Sequence, residues 1–136
     1  MNVSDVCSVL DALAPPALAA EWDNVGLLVG DGKATVRKML LCIDLTSEVL
    51  AEAIRIKAQM VMAYHPVIFK GINRITAESA PVVYKAARRG IAVYSPHTAM
   101  DAAEGGTNDV LAEMLGLLDC RPLEPAFAEA RCKVVV

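Results

Sequence analysis

The sequence predicts an α/β fold in which helices flank a mostly parallel sheet in the order β-α-β-α-β. Three runs, at residues 39–43, 59–63 and 91–94, are apolar throughout except for Gln59 and do not alternate with polar residues. Such runs are typical of strands that are covered on both faces. Helical patterns separate the runs, and right-handed crossovers would make the three strands parallel. A length of 136 residues suits one domain with a buried core.

An N-terminal helix and an added pair of strands are predicted before this unit. Ser4 is the expected N-cap of the helix, and the two prolines at residues 15–16 end it. Residues 26–30 form a short apolar segment between glycines, and residues 36–43 form the next one. The Asp-Gly pair at residues 31–32 indicates a turn between them, so we expect these two strands to pair antiparallel.

Three further helices are predicted from caps and apolar stripes. Thr46 or Ser47 caps the helix after the first parallel strand. Ser79 is expected to cap the next one, and Gly90 ends it. The last helix runs from about residue 107 to residue 115, followed by a glycine.

Composition excludes several classes of protein. The net charge is −3 and there is no basic block, which argues against nucleic acids and anionic membranes as partners. No apolar run approaches the roughly 18 to 20 residues of a membrane span, and the N-terminus lacks the features of a signal peptide. The four cysteines contain no C-x-x-C pair, so we expect reduced thiols in a cytoplasmic protein.

The C-terminal tail differs in composition from the rest of the chain. Residues 120–130 are rich in proline and glutamate, and residues 133–136 resemble the beginning of a strand. We therefore predict an α/β domain over residues 1–123. Residues 124–136 are then a linker and the start of a second or inserted domain, so the natural protein is expected to be longer.

Polar side chains follow each of the three predicted parallel strands. Asp44 follows the first strand, Tyr64 and His65 follow the second, and His97 and Asp101 follow the third. The carboxyl ends of parallel strands lie at one edge of a sheet, where open α/β sheets bind ligands. The only two histidines of the chain are therefore expected at the same edge.

Imidazole and carboxylate together suit a divalent metal ion. Zinc, iron and manganese all accept these ligands, and such an ion lowers the pKa of its bound water to near 7, which produces a hydroxide nucleophile. We take His65, Asp101 and His97 as candidate metal ligands, with Tyr64 and Asp44 in the surrounding shell or facing the substrate. The same side chains also suit ordinary hydrogen bonds in a core or a loop, and the sequence leaves that alternative open.

Other chemistry has weaker support. Ser95 is near His97, but no G-x-S-x-G motif surrounds it. The glycines at residues 105–106 lack a nucleotide-loop motif and indicate a turn. His97 and Asp101 would share one face of a helix, but Pro96 and the glycines favour a loop, in which their spacing proves nothing.

Three motifs in order resemble the NGG-one-interacting-factor-three-like family, whose bacterial members are often labelled type-two GTP cyclohydrolase I homologues. They are residues 21–30 (EWDNVGLLVG), residues 63–70 (AYHPVIFK) and residues 95–101 (SPHTAMD), the last followed by GGTND at residues 105–109. The resemblance covers the chain up to about residue 123.

The resemblance implies a dinuclear metal site between two α/β halves, in subunits that assemble into toroidal homo-hexamers. His65 matches the second histidine of the family's His-His-Pro motif, Asp101 matches its aspartate ligand, and His97 matches a histidine that lines the site. Tyr64 stands where the first histidine is expected. A branch of the family shares Tyr-His-Pro, but a tyrosine with a pKa near 10 is a poor neutral ligand. One metal position is therefore expected to be weakened or lost.

The family's remaining ligands, a histidine and a glutamate four residues apart, belong to a C-terminal half that this chain does not contain. The resemblance therefore makes this chain the N-terminal half of a two-lobed protein, with at most half of the metal site. It implies a metal-dependent hydrolase that acts on a nucleotide- or pterin-like substrate through metal-bound hydroxide. The alternatives are a metal-binding regulatory or scaffold protein without turnover, and an α/β oligomerisation domain whose histidines only form hydrogen bonds.

Overall fold

A computed structural model describes residues 1–122 of the chain. Its strands are Gly26–Val29 (β1), Met39–Cys42 (β2), Met60–Ala63 (β3) and Ala92–Ser95 (β4). Its α-helices are Val3–Leu13 (α1), Ser47–Arg55 (α2), Pro81–Arg88 (α3), His97–Ala102 (α4) and Thr107–Met114 (α5). A short 3-10 helix, Pro16–Leu18, follows α1.

The predicted α/β fold with a mostly parallel sheet is confirmed. The strands lie in the order β1-β4-β3-β2, and β2, β3 and β4 are parallel. The register aligns Cys42 with Ala63 and Met62 with Tyr94, so the three carboxyl ends lie at the same edge. All four residues of β4 are buried, as expected of a strand between two neighbours.

The predicted pairing of the first two strands is wrong. β1 pairs antiparallel with β4 and lies at the opposite edge of the sheet from β2. The segment between β1 and β2 does not form a hairpin, because it is held against the start of α1. The backbone N–H groups of Val3 and Ser4 donate to the carbonyl groups of Ala34 and Gly32 at 2.9 Å each.

The helix caps agree only in part with the prediction. Asn2, not Ser4, caps α1, and it exchanges hydrogen bonds of 2.7 and 2.8 Å with Asp5 in a capping box. Thr46 caps α2 as predicted, accepting from the N–H of Val49.

Ser79 was expected to cap α3, but the N-cap is Ala80. The Ser79 hydroxyl instead donates to the carbonyl of Arg74 at 3.1 Å. Pro81 occupies the first turn of α3, where its missing N–H costs nothing. Gly90, with φ +63°, follows the end of the helix in the left-handed conformation, as predicted.

Helices cover both faces of the sheet. On one face, apolar side chains of α2 and α3 pack on the sheet around Leu50, Val61 and Val93. On the other face, α1 packs against residues that include Met60 and Tyr94. This two-sided cover explains why the strands are continuous apolar runs rather than alternating ones.

The predicted linker and second domain at residues 124–136 lie outside the described residues, as does Cys132. Within residues 1–122, the helices are all too short or too polar to cross a membrane.

Replacing Leu50 by alanine is expected to lower the free energy of unfolding by about 2–5 kcal/mol, because the side chain is completely buried between α2 and the sheet. Leu41→Ala is the matched control. Its side chain is exposed on the edge strand β2, so a change within about 0.5 kcal/mol is expected. Urea unfolding followed by circular dichroism measures both values, and equal losses would contradict this description of the core.

Candidate functional site

The predicted site residues gather at the carboxyl edge of the parallel strands. Backbone N–H groups of Tyr64 and His65 donate to Cys42 and Ile43 at 2.9 and 3.0 Å, which extends the β2–β3 pairing beyond the strands. The ring centroids of His65 and His97 are 5.5 Å apart. The Tyr64 ring lies 5.3 Å from His65 and 5.9 Å from His97. Two strand ends therefore deliver three rings to one place.

The segment after Pro96 is helical, so the expectation of a loop is wrong. His97 and Asp101 are four residues apart within α4 and lie on the same side of it. Pro96 is compatible with this helix because it precedes the first helical residue and no helical hydrogen bond requires its N–H. His97 itself has φ +29°, an unusual backbone conformation for a residue with a side chain.

Asp23 holds His97 in place, and the sequence analysis did not single it out. Its side chain is fully buried and its two carboxylate oxygens lie 2.9 Å from Nδ1 of His97. It also accepts from the backbone N–H of Thr98 at 3.1 Å and from the Thr98 hydroxyl. The motif of residues 21–30 could have indicated this role, because Asp23 lies inside it beside the only tryptophan.

The electrostatics of Asp23 favour its charged form. Burial alone would raise the pKa of this carboxyl, but hydrogen bonds from Thr98, from His97 and from two backbone N–H groups outweigh burial and lower it. Because the carboxylate accepts from Nδ1–H of His97, the unprotonated nitrogen of the neutral ring is Nε2.

His65 has an equivalent partner. Its Nδ1 lies 2.7 Å from Oδ1 of Asp44, and both side chains are about half exposed or more. Asp44 thus contacts His65 directly. Within residues 1–122, Nε2 of His65 and of His97 makes no hydrogen bond. Each imidazole is therefore oriented by a carboxylate and has one nitrogen available for a ligand.

The Asp101 carboxylate accepts a hydrogen bond from Tyr64. One carboxylate oxygen, Oδ1, accepts from the Tyr64 hydroxyl and from the Thr107 hydroxyl, the latter at 2.8 Å. Burial, and then the adjacent Asp101 carboxylate, raise the pKa of Tyr64. The phenol therefore remains protonated at neutral pH and acts as a hydrogen-bond donor to Asp101.

The two glycines before α5 form the predicted turn. Gly105 has φ +68°, and its N–H donates to the Asp109 carboxylate at 2.7 Å. Gly106 packs so closely on α4 that a Cβ there would lie 2.0 Å from the carbonyl oxygen of Met100. This approach brings Thr107 within reach of Asp101.

Within the part of the chain that the structure describes, no group of three or more His, Cys, Asp and Glu side chains is arranged to hold a metal ion. The donor types nevertheless suit one, since neutral imidazole and carboxylate are ligands of zinc, iron and manganese. The predicted ligands of this chain therefore do not form a complete coordination set by themselves.

Comparison with known proteins identifies the relatives of this chain. The family model for Duf34/NIF3 (NGG1p interacting factor 3) matches residues 1–135. The chain belongs to the Duf34/NIF3 family. It is 34% identical to a GTP cyclohydrolase 1 type 2 homolog of Listeria innocua, over 99% of this chain and 37% of that protein. It is 42% identical to NIF3-like protein 1 of Drosophila melanogaster, over 91% of this chain and 44% of that protein.

Solved structures of Duf34/NIF3 relatives share the fold. A Bacillus cereus protein related to NIF3 superposes with a TM-score of 0.86 at 38% identity, over 95% of this chain and 36% of that one. Reduced HcgD from Methanocaldococcus jannaschii gives 0.84 at 29% identity, over 93% of this chain and 51% of that one. The present chain thus spans about half or less of the length of these relatives.

Two further aromatic side chains lie beside the histidines of this Duf34/NIF3 chain. The rings of Trp22 and Phe69 are 5.9 Å apart, and each lies 6.3–6.4 Å from His97. Trp22 is 64% exposed and Phe69 is 48% exposed. An exposed pair of large aromatic rings next to polar groups is unusual on a protein surface and is typical of a binding site.

Ser95 takes no part in this arrangement. It is fully buried, and its hydroxyl donates to the carbonyl of Tyr64 at 2.8 Å. The weak hypothesis of a serine nucleophile therefore has no support in the geometry.

Replacing Asp23 by asparagine is expected to lower the free energy of unfolding by about 1–3 kcal/mol, because the amide presents a donor to groups that are themselves donors. Glu21→Gln also removes one negative charge, but from an exposed residue of the same segment, and should change little. Urea unfolding of both variants at pH 7 measures the difference.

The lowered pKa of Asp23 also predicts that the effect of Asp23→Asn on stability depends on pH. The pKa of Asp23 is lower in the folded than in the unfolded chain. Its stabilising contribution is therefore complete above about pH 4, the ordinary aspartate value, and is lost as the pH falls through the folded-state pKa. The stability gap between the parent chain and Asp23→Asn should narrow in acid, and a gap that widens would contradict this assignment.

Proposed function

We propose that this chain is the metal-binding domain of a metal-dependent hydrolase that acts on a nucleotide- or pterin-like substrate. His65 and Asp101 are the proposed ligands, and His97 is a third donor beside them. The observation that carries the proposal is the pair of carboxylate–histidine contacts, Asp44 with His65 and Asp23 with His97, at 2.7 and 2.9 Å.

Carboxylates behind histidines are the usual outer shell of a metal site. They fix the tautomer and the ring orientation, and they raise the basicity of the coordinating nitrogen. Here both carboxylates engage Nδ1, so the same nitrogen, Nε2, is left for a ligand on both rings. The 5.5 Å between the ring centroids supports a common ligand region.

The second oxygen of Asp101 completes the proposed set of donors in this chain. Oδ1 is engaged by Tyr64 and Thr107, whereas Oδ2 makes no hydrogen bond to any of residues 1–122. Tyr64 is thus proposed to orient the aspartate rather than to replace the histidine of the His-His-Pro motif as a ligand.

The proposed cofactor is a divalent ion, zinc, iron or manganese, with two ions in a complete site. When bound, such an ion supplies Lewis acidity and lowers the pKa of water to near 7. The remaining ligands are proposed to come from outside this chain, since the Listeria innocua relative is matched over only 37% of its length.

The side chains around the donors favour a flat substrate. Trp22 and Phe69 present exposed rings within 6.4 Å of the His97 ring. Stacking of a planar heterocycle on aromatic rings is favourable by about 0.5–1.5 kcal/mol beyond burial. Both a nucleobase and a pterin offer such a plane, and the relatives named GTP cyclohydrolase 1 type 2 homolog carry the name of a nucleotide, GTP.

A second candidate is a metal-binding regulatory or scaffold protein without turnover. Tyr64 favours it, because its hydroxyl donates to one carboxylate oxygen of Asp101, a proposed ligand. The two candidates differ only in whether metal-loaded protein forms product.

Assembly and compartment are also proposals. Duf34/NIF3 resemblance implies a homo-hexamer, and α5 exposes large apolar side chains, among them Leu111, Met114 and Leu118 just beyond it, which suit a covering surface. Cys7, Cys42 and Cys120 are unpaired thiols in the described residues, which suits the reducing cytoplasm.

Protein expressed from the complete coding sequence is expected to purify with divalent metal. His65→Ala and Asp101→Ala should each lower the metal content at least severalfold, because each removes one of few donors. Inductively coupled plasma mass spectrometry gives the metal content per subunit.

Glu113→Ala is the control for this experiment, since it removes an exposed carboxylate of α5 that makes no hydrogen bond within residues 1–122. Metal contents that match in the parent, both site variants and the control would refute the proposed ligands.

Trp22 offers a direct readout of substrate binding, because it is the only tryptophan and is exposed beside the proposed site. Its fluorescence should be quenched by a subset of a panel of nucleotides and pterins. Trp22→Phe should retain part of the binding whereas Trp22→Ala weakens it, and isothermal titration calorimetry measures both variants because they lack the reporter tryptophan. Chromatography of the same mixtures tests turnover. Metal-dependent product identifies an enzyme, and binding without product identifies the regulatory alternative. Fluorescence that no compound changes would contradict a substrate-binding role of Trp22 and Phe69.

A further inference from the structure

A groove on the outer face of α3 has no role in the site described above. It is an open cavity of about 700 Å³ lined by Ser47, Ala77, Pro81, Tyr84, Lys85, Arg88 and Arg89. Pro81, Lys85 and Arg88 follow one another at intervals of three or four residues, so one side of α3 forms a wall. The groove is within the size range of small-molecule sites, about 300–1,000 Å³.

The charge of the groove is unbalanced. Three of its seven lining residues are cationic and none is acidic. Lys85, Arg88 and Arg89 form no ion pair with any acidic group of residues 1–122. The nearest carboxylates in sequence, Glu48 and Glu78, do not line the cavity.

One of the three cations also contacts an aromatic ring. The guanidinium of Arg88 lies over the Tyr84 ring, 5.5 Å from its centroid, which is a cation–π contact. A basic last turn is common because it interacts well with the carboxyl end of a helix. That explanation covers Lys85 and Arg88, which both lie in the last turn of α3, but it does not account for a groove that also includes Tyr84 and Ser47.

We propose that this groove binds the oligophosphate group of a small molecule. Three cations along one wall match several phosphate charges better than a single one, and guanidinium groups bind phosphate oxygens with paired hydrogen bonds. A nucleic acid is a less suitable occupant, because the chain carries a net charge of −3 and the cations are confined to one groove.

The groove adjoins the proposed metal site. Pro81 also lines a second cavity of about 380 Å³, whose walls include Asp44 and His65. From Pro81 to Arg88 the helix rises by about 10 Å, at about 1.5 Å per residue, which a di- or triphosphate chain can follow. The binding itself needs no metal. Only the direction of the ligand, with its phosphates in the groove and its remainder toward His65, rests on the proposed function.

The experiment measures binding of inorganic tripolyphosphate to protein from the complete coding sequence, by isothermal titration calorimetry in the presence of EDTA. Removing a charged hydrogen-bond donor is expected to weaken binding about tenfold or more, so Lys85→Gln and Arg88→Gln should each do so. Lys33→Gln is the matched control, since Lys33 is exposed and lies in the segment packed against α1, on the other side of the sheet. All three side chains are exposed, so the folded state should be retained, and unfolding midpoints verify this.

Each outcome decides the proposal. Weakening by Lys85→Gln and Arg88→Gln but not by Lys33→Gln supports it, whereas no binding, or equal effects of all three, overturns it. A single-stranded oligonucleotide that binds more tightly than tripolyphosphate would also overturn it. A nucleoside triphosphate that binds more tightly than tripolyphosphate identifies the ligand as a nucleotide, and equal affinities identify a free oligophosphate. Because EDTA is present, a failure of the metal proposal leaves these results unchanged.

Discussion

The parallel alignment of β2, β3 and β4 brings three strand ends to one edge of the sheet, and the candidate site depends on it. Register places Cys42 beside Ala63, so Asp44 and His65, each two residues further on, can meet. β1 joins from the other side, antiparallel to β4. The segment before β1 thereby brings Asp23 to His97, although 74 residues separate them.

Hydrogen bonds to carboxylates then fix the orientation of both histidine rings. Asp23 and Asp44 both engage Nδ1, and Tyr64 and Thr107 engage one oxygen of Asp101. The two imidazole contacts differ in environment, because Asp23 is buried whereas Asp44 and His65 are exposed. His97 is therefore held more rigidly than His65, which is the more accessible of the two.

The rest of the surface around the site supports recognition of a ligand rather than a purely structural role. Exposed Trp22 and Phe69 lie on the His97 side, and a groove with three cations adjoins the His65 side through Pro81. A chemically asymmetric pair of surfaces, one aromatic and one basic, flanks the same donors. Exposed aromatic groups, and cations without an ion-pair partner among residues 1–122, contribute little to stability. Their position beside the donors supports the proposed binding role.

The sequence alone determined the α/β class, the three parallel strands and the gathering of Tyr64, His65, His97 and Asp101, because apolar runs and their ends are local patterns and parallel strands share an edge. Only the tertiary structure decided that β1 pairs with β4, that α4 is a helix and that Asp23 orients His97. Those three features depend on contacts between distant segments. Examples are the backbone hydrogen bonds between the N-terminal end of α1 and residues 31–36, and the buried hydrogen bonds of Asp23. Local propensity around Pro96 and Asp31 contains no information about such contacts.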